Sequence, residues 1–203
     1  MAAPVNERTM AIGAGFAQSI WIWLALAAVY LVAALPVLLW GAMPPLVVAL
    51  SLGLAAGLIA LGVIDIRTER LPDWLTLPLI AGGLAATWLI GLQELPWHLL
   101  AAIAGYCLIL VTALIYRWFR NREGIGLGDG KLLAAAGAWL GLGALPTVLL
   151  LACLIALIQA LLVSVGTGRM DPARRLPFGP ALAMATWIVW LYGAPDAVYQ
   201  RWL

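Results

Sequence analysis

A chain of 203 residues that is 65% hydrophobic and only 10% charged is too apolar for a soluble domain, which carries about 25% charged residues, so lipid must be its solvent. A net charge of +2 with no basic stripe excludes a nucleic-acid-binding face. Cys107 and Cys153 lie inside apolar runs and form no CxxC, so they are expected to be small buried hydrophobes, neither a disulfide nor metal ligands.

The first apolar run is too long for the core of a secretion signal, and no small-residue cleavage site follows it, so no cleavable signal peptide is expected. From Thr9 to Ile64 no residue is charged, enough for two spans. The break falls at Gly41-Ala42-Met43-Pro44-Pro45, because proline opposes helix continuation. A spanning helix needs about 20 apolar residues. Trp74 to Gln93 supplies a third span and Leu95 to Tyr116 a fourth. Leu132 to Gly168 is again uncharged, and Gly141-Leu142-Gly143-Ala144-Leu145-Pro146 divides it into a short fifth helix and a sixth of ordinary length. The fifth is too short to cross alone as an exposed span, which suits a half-helix or a tilted one. Leu176 to Pro195 is the seventh. The expectation is all-α: a polytopic transmembrane helix bundle of about six to seven spans, one integral-membrane domain over residues 1–203, without internal repeats.

Charge distribution orients this map. With the N-terminus in the cytoplasm, Arg8, Arg67, Arg70, Arg117, Arg120, Arg122, Lys131, Arg169, Arg174 and Arg175 fall on one side and Arg201 on the other, as the positive-inside rule asks. If the fifth helix did not cross, the parity after it would change and the third basic cluster would lie outside. The charges therefore favour a crossing.

Nine acidic residues are present, and seven lie in loops or tails, where a solvated charge is ordinary. Asp65 ends the second span, and Asp129 follows Gly126-Leu127-Gly128 to open the fifth helix. Both fall on the cytoplasmic face, and carboxylates at membrane depth are costly and functional by default when they face the bundle interior. Two carboxylates brought to about 3 Å cannot both ionise at neutral pH. One then serves as general base on a water between them, while the other polarises a carbonyl and later protonates the leaving amine; the pair titrates as a unit. Gly126 and Gly128 permit positive φ and close backbone approach just before the helix, and Gly124 and Gly130 loosen the same loop. Spacing alone leaves blander readings open: Asp129 is also a good N-cap, and Asp65 at a helix end also suits water. Asp73 reads as an N-cap. His98 and Glu94 read as solvated groups at the opposite interface, and Trp21, Trp40, Trp74, Trp97, Trp118 and Trp187 as an interfacial belt. Other protease chemistries lack their parts. There is no H-E-x-x-H, a single histidine cannot build the usual zinc site, and neither Ser19, Ser51, Ser164 nor the cysteines have an evident base.

The run Ile64-Asp65-Ile66-Arg67-Thr68-Glu69-Arg70-Leu71-Pro72-Asp73 resembles the first aspartate motif of type IV prepilin peptidases. Gly126-Leu127-Gly128-Asp129-Gly130-Lys131, with its extension through Ala138-Trp139-Leu140-Gly141, resembles the second, the GxGD motif, and Pro177-Phe178-Gly179-Pro180 resembles a C-terminal element of that family. Together they cover roughly residues 60–190, the expected catalytic core. The resemblance implies an aspartyl endopeptidase of the bacterial inner membrane, needing no metal or cofactor. It would cut the basic leader from prepilins or pseudopilins at the cytoplasmic face, just after a glycine. Its partners would be that substrate, membrane lipid and the pilus or secretion machinery. It assigns catalysis to Asp65 and Asp129, and site shaping to Gly126, Gly128, Lys131, Pro177, Phe178, Gly179 and Pro180; Asp73 matches the motif without a catalytic role. Many relatives carry an N-terminal region with paired CxxC motifs that accompanies N-methylation. This chain has none, so it resembles the shorter, peptidase-only members, and methylation is not expected. Two alternatives remain: another GxGD protease of preflagellin or signal-peptide-peptidase type, against which Leu71-Pro72-Asp73 and Ala138-Trp139-Leu140-Gly141 argue, and a non-enzymatic component or transporter with an aspartate ion site.

Overall fold

The computed structural model describes residues 23–36, 44–120, 126–167 and 177–193. These form seven α-helices and no strand among the described residues: α1 (Trp23–Pro36), α2 (Pro45–Thr68), α3 (Asp73–Ile90), α4 (Leu95–Arg120), α5 (Leu127–Leu140), α6 (Leu145–Thr167) and α7 (Gly179–Tyr192). Single 3-10 turns, Leu92–Glu94 and Leu142–Ala144, join α3 to α4 and α5 to α6. The chain is a multi-pass membrane protein, an all-α bundle in which α2, α3, α4 and α6 are long and apolar enough to cross a membrane. The helices α1 and α7 are apolar but shorter among the described residues. With 14 residues, α5 is about 21 Å long, less than the roughly 30 Å of a hydrocarbon core, and is not a span by length.

The breaks follow the residues that compel them. Pro45 occupies the first turn of α2, where its missing N–H costs nothing. Gly141 closes α5 at φ +80°, a left-handed conformation that suits glycine. Charge marks helix ends less well: α4 runs on to Arg120, past the expected end at Tyr116, while α7 covers less than the expected 176–195. Parts of the first, second and seventh expected spans lie outside the described residues.

Lipid tails are as apolar as leucine, so helices here are not driven together by hydrophobicity and rely on close packing through small residues. The α4–α5 pair shows this. A Cβ added at Gly105 would lie 2.8 Å from the Leu133 carbonyl oxygen, and one at Gly137 only 2.5 Å from that of Ala101. The two backbones therefore touch, antiparallel, along a glycine- and alanine-lined seam. On α5 every residue from Leu132 to Trp139 is buried. The Trp139 indole N–H donates to the Leu79 carbonyl of α3, 2.8 Å away. Across the bundle, Trp187 of α7 donates to the Tyr30 carbonyl of α1 at 3.0 Å, and Trp190 to the Ser51 hydroxyl of α2 at 2.8 Å.

Three sequence expectations are corrected. Trp187 is buried and stacked on Tyr30, not part of an interfacial belt, whereas Trp74, Trp97 and Trp118 are exposed at helix ends as expected; Trp21 and Trp40 lie outside the described residues. Cys107 and Cys153 are exposed, because an apolar run in a membrane bundle has an outer side, and sides that line clefts, as well as a packed inner one. His98 is buried. Its Nδ1 lies 2.9 Å from the Ala138 carbonyl oxygen and 3.1 Å from the Thr87 hydroxyl, so it joins α3, α4 and α5 and is not solvated at an interface.

Candidate active site

Asp65 lies in the last turn of α2 and is buried. Its Oδ2 accepts a hydrogen bond of 3.0 Å from the backbone N–H of Gly179, the first residue of α7. The opening N–H groups of a helix have no partner within it, so the start of α7 is a natural donor to a carboxylate. Pro180, next in line, has no N–H to offer. A Cβ on Gly179 would come within 2.5 Å of the same oxygen; only glycine lets the α7 backbone approach so closely. This gives a physical role to one residue of the Pro177-Phe178-Gly179-Pro180 element.

Asp129 is the third residue of α5, not its cap. Gly126 holds the cap position, at φ −72° and without a side-chain hydrogen bond. Gly126 and Gly128 do not adopt positive φ, so the expected left-handed role is corrected. At Gly128 what matters is proximity: a Cβ there would be 3.1 Å from the Leu71 Cβ. Gly130 likewise fits against Ile109 of α4 instead of loosening a loop, and Gly124 lies outside the described residues. Asp73 is also no cap. Pro72 holds the cap position of α3, and the Asp73 carboxylate pairs with the Lys131 ammonium.

Asp65 and Asp129 line one cavity of about 970 Å³. Ile109 and Thr112 of α4, Leu149 and Cys153 of α6, Leu71, Pro177 and Phe178 form much of its remaining wall, and Glu69, Arg70 and Lys131 add charge. A mostly apolar cleft with a few convergent charged groups is the usual form of a ligand site. Asp129 stands outside the four spanning helices. Burial, and then the negative charge of Asp65, push its carboxyl up from the ordinary 3.8 to about 7. Gly126, Gly128 and Lys131 also line the cavity, whereas Gly179 and Pro180, in the first turn of α7, are not part of its lining. Among the described residues no three histidine, cysteine or acidic side chains gather as a metal site would require.

Some of the wall left no mark in the sequence. Glu69 and Arg70 belong to the first motif but read as loop charges. Glu69 turns the chain out of α2 in a left-handed conformation, φ 50°. Thr112, Leu149 and Cys153 sit in unbroken apolar runs and carry no local signal.

Residues 52–161 match the family described as the type IV leader peptidase family. Among curated proteins, the chain is similar to the prepilin leader peptidase/N-methyltransferase of Neisseria gonorrhoeae, 40% identical over 147 residues, covering 72% of this chain and 49% of that protein. The like-named protein of Burkholderia pseudomallei is 43% identical over 145 residues, 71% of this chain and 47% of the relative. That of Aeromonas hydrophila is 41% identical over 145 residues, 71% and 49%. The chain thus spans about half the length of the curated relatives it matches. No solved structure matches it.

Proposed function

The chain belongs to the type IV leader peptidase family, and from that premise we propose that it is an aspartyl endopeptidase of the bacterial inner membrane. It cleaves the basic leader from prepilins or pseudopilins at the cytoplasmic face. The observation that carries the reading is the shared cavity: two carboxyls on different helices, one raised to about 7 by burial and by the charge of the other. Such a pair holds one proton at neutral pH. The anionic carboxylate takes a proton from a water lying between the two, and that water attacks the scissile carbonyl. The carboxylic acid donates its proton to the carbonyl oxygen. Collapse of the resulting gem-diol breaks the C–N bond: the aspartate that took the water proton gives it to the leaving amine, while one diol hydroxyl returns its proton to the other aspartate as the new carboxyl group forms, so the dyad ends with a single proton again. The Gly179 N–H, bonded to Asp65, orients that carboxyl, and Gly126, Gly128, Lys131 and Phe178 shape the wall around it.

The whole chain acts as a single peptidase domain. Its chemistry is peptide cleavage; the N-methyltransferase activity in the relatives' names belongs to those longer proteins. Cleavage of a synthetic prepilin-leader peptide by the purified protein, followed by mass spectrometry, tests the reading. Wild type should yield one cut, while Asp65→Asn and Asp129→Asn, equally well expressed and folded, should each lose about 10³-fold or more in kcat, as loss of a general acid or base does. Both variants cleaving like wild type would remove the dyad, and intact cleavage with lost ion transport would favour the transporter alternative.

A further inference from the structure

We propose that Asp73 and Lys131 are positioning residues: together with Leu71 seated on Gly128, they form a clasp that fixes Asp129 opposite Asp65. This rests on the dyad reading above. Two independent contacts support it. Gly128, directly before Asp129, is packed so closely on Leu71 that a Cβ would lie 3.1 Å from Leu71 Cβ and 3.3 Å from its Cδ1. Lys131, two residues after Asp129, pairs with Asp73. Both contacts come from one three-residue segment, Leu71-Pro72-Asp73, in which the ring of Pro72 holds φ at −75° and limits the relative movement of its neighbours.

That segment is also the continuation of the helix that carries Asp65. The helix α2 ends at Thr68, Glu69 turns the chain, and Leu71 is only six positions beyond Asp65. The strand of chain leaving one carboxyl therefore grips the residues on both sides of the other. A purely stabilising role fits the ion pair poorly, because the Asp73 side chain is 60% exposed and that of Lys131 28%, and exposed pairs contribute little to stability. Geometry is another matter: a displacement of about 1 Å at a reacting group costs on the order of 100-fold in rate.

The test uses the full chain in detergent or liposomes, a synthetic prepilin-leader peptide, and Asp129→Asn as the inactive reference. Asp73→Asn and Lys131→Met should each lower kcat by about tenfold or more, with KM within about twofold and the thermal midpoint nearly unchanged. The Asp73→Asn/Lys131→Met double variant should be no worse than either single one, since both remove the same contact. The charge exchange Asp73→Lys/Lys131→Asp should recover most of the lost kcat. Additive losses in the double variant overturn the clasp, and this comparison stands even if the exchanged protein does not fold. So does loss confined to Lys131→Met with Asp73→Asn at the wild-type rate, which would make the lysine a substrate contact. A wild type that does not cleave at all overturns the peptidase reading together with the clasp, whereas an active wild type with unaffected single variants overturns the clasp alone.

Discussion

At the scale of single residues, Asp129 couples the site to stability. Its carboxyl is raised from 3.8 to about 7, mainly by burial and then by Asp65. A group raised in the folded state holds its proton more tightly there than in the unfolded chain. Its stabilising contribution is complete below pH 3.8 and is lost as pH rises through about 7. The thermal midpoint of the wild type should therefore fall between those limits, and that of Asp129→Asn should fall less, leaving the variant the more stable protein at neutral pH. Thermal unfolding of both proteins across that range decides it; a variant less stable than wild type at pH 7 would be inconsistent with a carboxyl held against its charge. Both carboxylates were legible, Asp65 because it ends an unbroken apolar run and Asp129 because it follows Gly126-Leu127-Gly128 where an apolar helix opens. The partnership of Asp73 with Lys131 was not. It joins positions 58 residues apart, and neither residue carries a local trace of the other, so an aspartate after a proline and before a helix read as a cap.

Helices as units were read from length, apolar runs and glycine–proline breaks, and their order holds. Their facing was not readable. A helix apolar all round has no polar side to mark the solvent, and lipid-facing and core-facing residues are drawn from the same set. What distinguishes the inner face is size. Gly105 and Gly137 admit the neighbouring backbone, whereas Gly53 of α2 has nothing within 4 Å of where a Cβ would stand. The two kinds of glycine should respond oppositely to alanine. Gly137→Ala must push α4 and α5 apart, because the obstructing atom is the Ala101 carbonyl and not a movable side-chain end; it should cost about 1–3 kcal/mol, as overpacking does. Gly53→Ala should be neutral or stabilise by up to about 1 kcal/mol, through helix propensity. Thermal unfolding in one detergent compares them. Equal effects would mean that the α4–α5 seam is not the tight contact described.

For the whole molecule, the site and the charge lie at one end. The described basic residues Arg67, Arg70, Arg117, Arg120 and Lys131 all belong to the end where α2 and α4 finish and α3 and α5 begin, and the cavity with Asp65 and Asp129 is there too. The opposite connection, between α3 and α4, carries Glu94 and no lysine or arginine. Basic residues near membrane segments stay in the cytoplasm, so the cavity should open to that side, where a basic leader that has not crossed would be found. Cysteine labelling tests the orientation without depending on catalysis. In a background where Cys107 and Cys153 are replaced by alanine, Asp73→Cys and Glu94→Cys each put one thiol at an exposed position, at opposite ends. A membrane-impermeant maleimide should label the Glu94→Cys thiol in intact spheroplasts and the Asp73→Cys thiol only in inverted vesicles. The reverse pattern would put the carboxyl pair on the far side of the membrane, beyond reach of an uncrossed leader, and labelling of both thiols from one side would mean that α3 does not cross.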